Sequence, residues 1–417
     1  MATPTTIARI SNALQTIYPE SIIRKHKMDQ QPFWAYIAKK ENFGGKNASF
    51  PTQVSIGGRG NSHTFDDAQE DAGGGDYEEW IYTRKKDYKI ITFDNEALEA
   101  SEKDPGGYLS VKKLEVEGAL DYLVQRLGAD LHSVDGNCGT VNAVSAGNNT
   151  IDIGATDVVG LEKGARLQAA ASTFTALRAG GPKGYMVIDK IDLDTPGGGF
   201  ARITLDIVNG DTVTQYGVVA TDRIYPKGNF GKSLDSTEKW VPSDRTNLSV
   251  AFNNVVRDSY PSRLAGIYFE MSAYGLAEGF ERGLSRAKLE GVTVDTIWIS
   301  PNRFTDMSLD AGSRIVRESF KIGEWGFDSL VMNSPGGKGG KVRFVSDPNI
   351  RDNTALGTTK ETWKFHSLNG APRNLTRRSG SEMLVEPARD GWQQRYGWYG
   401  NLVCLDPGKN IRFKLPV

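Results

Sequence analysis

Residues 47–93 constrain this chain more than any other stretch, because they cannot be stable alone. In NASFPTQVSIGG, Val54 and Ile56 alternate with polar neighbours; in DYEEWIYTRKKDYKIITF, Trp80 and Tyr82 do the same. Period two marks strands, so the two runs predict the arms of a long, exposed hairpin. Between them lies GRGNSHTFDDAQEDAGGG, rich in Gly and Asp, which reads as a loose tip. An arm of about 20 residues reaches at most ~65 Å, more than the radius of a domain this size. A polar two-stranded ribbon is marginal in water. The hairpin is therefore expected to lie on a neighbouring subunit.

Its charges are segregated. Asp66, Asp67, Glu70, Asp71, Asp76, Glu78 and Glu79 gather towards the tip, and Arg84, Lys85 and Lys86 sit on the opposite arm. The acidic cluster reads as a solvated loop tip ahead of a cation site. The basic cluster reads as a polar edge that resists strand pairing, or as one half of a contact between copies, acidic tip on basic stem. Both readings stay open. Across the chain, 50 Lys and Arg balance 51 Asp and Glu, for a net charge of -1. That excludes a nucleic-acid binder working through a whole-surface basic field.

Elsewhere the pattern changes several times. In the leading arm, 1–46, Ile7, Ile10, Leu14 and Ile17 recur at helical spacing up to Pro19. A second short helix is predicted around Phe33, Trp34, Ile37 and Ala38. Residues 104–132 read as one long helix, opened by Asp104 and Pro105, with a stripe of Val116, Leu120, Leu123, Val124, Leu127 and Leu131. Residues 134–230 carry short alternating segments punctuated by Gly and Asn, which predict a small all-β barrel or sandwich. Beyond them, Leu248, Phe252, Val255 and Val256 suggest a helix ended by Pro261. Leu276, Phe280, Leu284 and Ala287 suggest another, closed by Gly291. VTVDTIWIS reads as a buried strand, PNRFTDMSL as a turn into a short helix, and 334–340 as a breaker loop. Residues 341–417 look mostly β.

Little here points to chemistry. Gly340-Lys341 is followed by Val342, and Pro335 stands where a phosphate loop needs its first Gly. Gly58-Arg59-Gly60 meets His63 where a dinucleotide loop needs Gly. His26, His63, His132 and His366 are scattered, with no metal-ligand spacing. Cys138 and Cys404 have no neighbouring His and read as small buried residues of a cytosolic chain. No run reaches the ~18 apolar residues of a membrane span. The N-terminus lacks the apolar centre of a secretory signal, so the chain is expected to keep Met1, and its four Asn-x-Ser/Thr matches are expected to be chance. No catalytic, metal or cofactor residue is expected, and the chain is not expected to be an enzyme.

The order of parts is more specific than any motif. Arm, projecting hairpin, spine-length helix, mixed α/β region and β-rich end follow one another. With GLSRAKLEGVTVDTIWISPNRFTDM (283–307) and GWQQRYGWYGNLVCLDP (391–407), that order resembles the tailed-bacteriophage major capsid proteins, the HK97-like coat fold. The resemblance implies an α+β fold. Residues 1–46 would be the N-terminal arm, 47–93 the extended loop, and 94–133 the spine helix and part of the peripheral domain. Residues 134–230 would be an inserted β domain absent from the minimal fold. Residues 231–350 would form the axial domain, and 351–417 the strands completing the core. It further implies self-assembly into hexamers and pentamers of a shell that encloses double-stranded DNA without reading its sequence. Partners would be a separate scaffolding protein, since no long charge-rich leader precedes the arm, a portal and decoration proteins. The location would be the virion, assembled in the host bacterial cytoplasm. Residues expected between subunits are Phe33, Trp34, Phe50, Asp66, Asp67, Glu70, Trp80, Arg84, Lys85 and Lys86. Near-neutral charge suits such a shell, because it limits repulsion among copies and adsorption of packaged DNA.

Three rivals remain. An encapsulin-like compartment would share the fold but resembles the minimal version, without an insertion as long as 134–230. A hydrolase would need convergent titratable groups. A tail module with a sugar platform in 134–230 would rest on few aromatics: Phe174, Tyr185, Phe200, Tyr216 and Tyr225.

Overall fold

The computed structural model describes residues 31–55, 57, 60–96, 111–145, 147, 149–158, 160–171, 176–178, 184–193, 200–206, 213–310, 315–322, 325–375, 384–386 and 390–416. The helix expected over 7–17, the first residues of the helix expected over 104–132, and Phe174 lie outside them.

Pro32 opens a short helix, Pro32–Tyr36, where its missing N–H costs nothing. β1 (Ala38–Lys40) follows, then the hairpin strands β2 (Asn47–Gln53) and β3 (Tyr77–Thr83), paired from Asn47↔Thr83 to Gln53↔Tyr77. A short helix, Phe65–Glu70, lies in the tip, and none of its residues is buried. β4 (Lys85–Asp94) does not belong to the hairpin. The second arm therefore ends at Thr83, far shorter than the alternation predicts. No Gly or Pro marks the break at Arg84, so the run reads through it. Ile91 and Phe93, two apart, give β4 a buried face of its own.

The Val111–His132 helix buries Ala119, Leu123, Leu127 and Leu131, spaced four apart on one face. Its first half packs on Ile91, Phe93 and Tyr396, while Leu127 and Leu131 enter the main core. A Cβ on Gly128 would sit only 1.6 Å from Gln31 Oε1, so the arm can lie on the helix only where a side chain is missing.

Within 134–230 the chain forms β5 (Gly139–Ser145), β6 (Thr150–Gly154), β7 (Arg166–Ala170), β8 (Met186–Asp192), β9 (Phe200–Leu205) and β10 (Arg223–Pro226). They close into a barrel in the order β10-β5-β6-β9-β8-β7. Val141, Ile151, Ile153, Leu167, Ile188, Ile203 and Ile224 fill it, each 1 % exposed or less.

The helix expected over 248–256 is absent. Asn253 and Asn254 take left-handed backbone (φ 48° and 77°), and a tight turn pairs Phe252 with Val255. Asn tolerates that region, so the Asn-Asn pair decides the turn against the apolar spacing. Pro261 opens a helical turn, Pro261–Leu264, instead of closing a helix. β11 (Ile267–Glu270) leads to the Leu276–Leu289 helix, which buries Phe280, Leu284 and Ala287; Gly291 beyond its end has φ 79°. β12 (Thr296–Ile299) is buried throughout, and Pro301–Asp310 is helical. Sequence reading gave no strand at β1, at β11 or at the β13 (Ile315–Ile322) and β14 (Trp325–Asn333) hairpin; β15 (Lys341–Ser346) and β16 (Thr354–Thr358) fall in the stretch expected to be mostly β.

The last strands are β17 (Trp363–Ser367), β18 (Arg373–Asn374), β19 (Leu384–Val385), β20 (Gly391–Cys404) and β21 (Ile411–Lys414). β16 and β21 join a seven-stranded sheet in the order β11-β21-β16-β12-β15-β14-β13. β20 centres the other main sheet, pairing with β4 from Lys85↔Gly400 to Asp94↔Gly391 and with β17.

Candidate assembly interface

The arm residues expected between subunits are buried inside the chain itself. Phe33 is 1 % exposed, its ring centroid 5.3 Å from Trp298, 5.9 Å from Trp363 and 4.6 Å from His132. Trp34 stands edge-on to Phe365 at 4.9 Å, with the Lys39 ammonium 4.6 Å from its own ring. Burying a large aromatic stabilises the fold by several kcal/mol, so an aromatic at the end of an arm is drawn into the nearest core.

Trp80 is likewise a core residue, 0 % exposed, beside Trp240 (5.0 Å) and Phe252 (6.1 Å). Its indole N–H donates to Thr52 Oγ1 across the hairpin at 3.1 Å. Phe50 is half-buried and stacks on Trp80 at 6.4 Å. The 252–255 turn lies against β3, with the Ile81 amide donating to the Asn253 carbonyl at 2.9 Å. Asn401 pins the far end of β3. Its amide donates to the Thr83 carbonyl at 2.8 Å and to Asp235 Oδ2 at 2.7 Å. Tyr82 shares a 2.7 Å hydrogen bond with His366, and the Arg263 guanidinium holds the Val54 carbonyl. The base of the hairpin is thus fixed to its own subunit.

The tip differs. Phe65 is 79 % exposed, and Asp66, Asp67 and Glu70 are all exposed. Thr64 Oγ1 donates to Asp67 Oδ2 at 2.5 Å and Ser55 Oγ to Asp76 Oδ2 at 2.9 Å, so local bonds shape the tip. No cation of the described residues pairs with its carboxylates.

Arg84, Lys85 and Lys86 lie at the other end of β3. They line a groove of roughly 520 Å³ with Lys227 and Lys232 from the segment that leaves the barrel. Lys227 and Lys232 stand some 140 positions further along the chain than Lys86, which is why sequence reading missed them. Beneath the groove Arg126 pairs with Asp130 at 2.5 Å and also reaches the Gly136 carbonyl and Cys138 Sγ. Burial pushes the Asp130 and Asp87 carboxyls up, against the pull of Arg126 on both.

Burial pushes both the Cys138 and Cys404 thiols up, and both are free and enclosed. His132 sits 3.5 Å from Asp347 and 3.2 Å from Thr237 Oγ1, a buried structural contact at the helix end. No group of three or more His, Cys, Asp or Glu in the described residues is placed to hold a metal, and no described helix is long and apolar enough to cross a membrane.

No protein-family model matches the sequence, and no curated protein matches it. Solved structures do. The capsid asymmetric unit of cyanophage A-1(L) aligns over 99% of this chain and 98% of its own, at 10% identity and a TM-score of 0.54. The capsid of a native GTA particle aligns over 99% of both chains, at 7% identity and a TM-score of 0.50. A holo-SrpI encapsulin complex from Synechococcus elongatus PCC 7942 aligns over 99% of this chain and 96% of its own, at 7% identity and a TM-score of 0.46. Over nearly its whole length, this chain has the HK97-like fold of phage capsid proteins.

Proposed function

We propose that this chain is the major capsid protein of a tailed bacteriophage. Its copies assemble into hexamers and pentamers of an icosahedral or prolate shell around double-stranded DNA. The observation that carries the reading is the division of the hairpin on a capsid fold. Its base is fixed to the subunit core, and its acidic tip is exposed, with no cation among the described residues paired to it. A tip of this kind gains stability only on another copy, and each copy added to a shell closes several such contacts at once. The role is structural, without catalysis. A separate scaffold, a portal and decoration proteins are its expected partners, the virion its location, and the host bacterial cytoplasm its place of assembly. The barrel of 139–226 is read as a domain inserted into the minimal fold.

The alternative is an encapsulin-like shell around protein cargo. The barrel favours the phage reading, since the minimal fold has no such element. Cargo separates the two. Particles containing this chain, purified from infected cells and treated with nuclease, should retain protected double-stranded DNA. Particles with protein cargo and no protected DNA would establish the alternative.

A further inference from the structure

We propose that the groove between the start of β4 and the segment leaving the barrel receives the acidic hairpin tip, residues 65–71, of a second copy. The inference rests on the shell reading and names the surface that takes the tip.

The groove asks for an anion. Five cations line it (Arg84, Lys85, Lys86, Lys227 and Lys232), and none is in an ion pair among the described residues. The two acids in its lining, Asp87 and Asp130, are largely spoken for by Arg126 and local amides. A carboxylate is the partner such cations bind most strongly.

The tip offers the complement. Asp66, Asp67, Glu70 and Asp71 fall within six positions around the exposed Phe65 ring. The tip of the same chain does not reach. β3 runs extended from Tyr77 beside the tip to Thr83 beside the groove, six rises or about 20 Å. Val54, bonded to Asp76 just before β3 and held by Arg263, and Asn401 at Thr83 fix its two ends, so it cannot fold back. The complementary tip belongs to another copy, and repetition around a ring of subunits gives each groove one tip.

Two charge reversals and their combination test this. Lys85→Glu with Lys86→Glu, or Asp66→Lys with Asp67→Lys, should raise the concentration at which shells form at least about tenfold at low salt. Joining both pairs in one chain should restore it to within about threefold of the unmodified protein. Unchanged assembly in both single sets would overturn the proposal. So would a groove reversal that the tip reversal fails to rescue, since the groove then serves another acidic partner. A second measurement needs no charge change of sign. Asp67→Cys with Lys86→Cys should give cross-linked ladders on oxidation, against a silent background because both native cysteines are buried. If the unmodified chain forms no shells, the shell reading fails separately. The cysteine pair then still decides the groove: cross-linked small oligomers support it, and a chain that stays uncross-linked at high concentration overturns it.

Discussion

Trp80→Ala should destabilise the isolated subunit by ~3–5 kcal/mol, the usual cost of emptying a buried aromatic site. Trp80 is fully enclosed by Trp240, Phe252 and Phe50, so the cavity has rigid aromatic walls that cannot collapse into it. The orphaned Thr52 hydroxyl adds a smaller cost. Urea unfolding of the unassembled subunit reads the effect as a shifted midpoint with a similar slope. A variant with an unchanged midpoint but defective assembly would return Trp80 to the contact between copies that its sequence pattern first suggested.

Replacing residues 57–75 by a short glycine-rich turn should have the opposite profile. The cut leaves Val54, Asp76 and all seven β2–β3 pairs in place, with the Val54 amide still bonded to the Asp76 carbonyl at 2.8 Å. No residue of the tip helix is buried, so the subunit's own stability should change by less than about 0.5 kcal/mol. Shell assembly should be lost. A wider deletion through residue 80 would not separate the two effects, because it removes Trp80 from the core. Shells that form from the shortened chain with unchanged stability would show that the hairpin does not join copies.

What the sequence displayed, and what it hid, follow one physical distinction. Local periodicity was legible. The 111–132 and 276–289 helices, the buried strand 296–299 and the small barrel were all visible in spacing that a single element must obey. Destinations were not. The alternation of β3 continues into β4 without a breaker, so nothing local says that Lys85–Asp94 leaves the hairpin for β20, some 300 positions away. Apolar spacing at 248–256 mimicked a helix until the left-handed Asn253 and Asn254 turned it into a prop for β3. Phe33, Trp34 and Trp80 looked like contacts for a neighbour because their host segments have no core of their own. The chain supplies that core from residues far away, around Trp240, Trp298, Trp363 and Phe365. For the interface, the charges of the tip and of Arg84–Lys86 were readable, but the groove needs Lys227 and Lys232, which only the closure of the barrel brings alongside.

The central claim is that this chain builds a closed shell. Electron microscopy of the purified protein, alone and with its scaffold where one is found, tests it most directly. The account predicts closed icosahedral or elongated particles made of hexamers and pentamers, with each hairpin tip lying on an adjacent subunit. A chain that remains a compact monomer under every assembly condition, and that turns over a substrate, would contradict it.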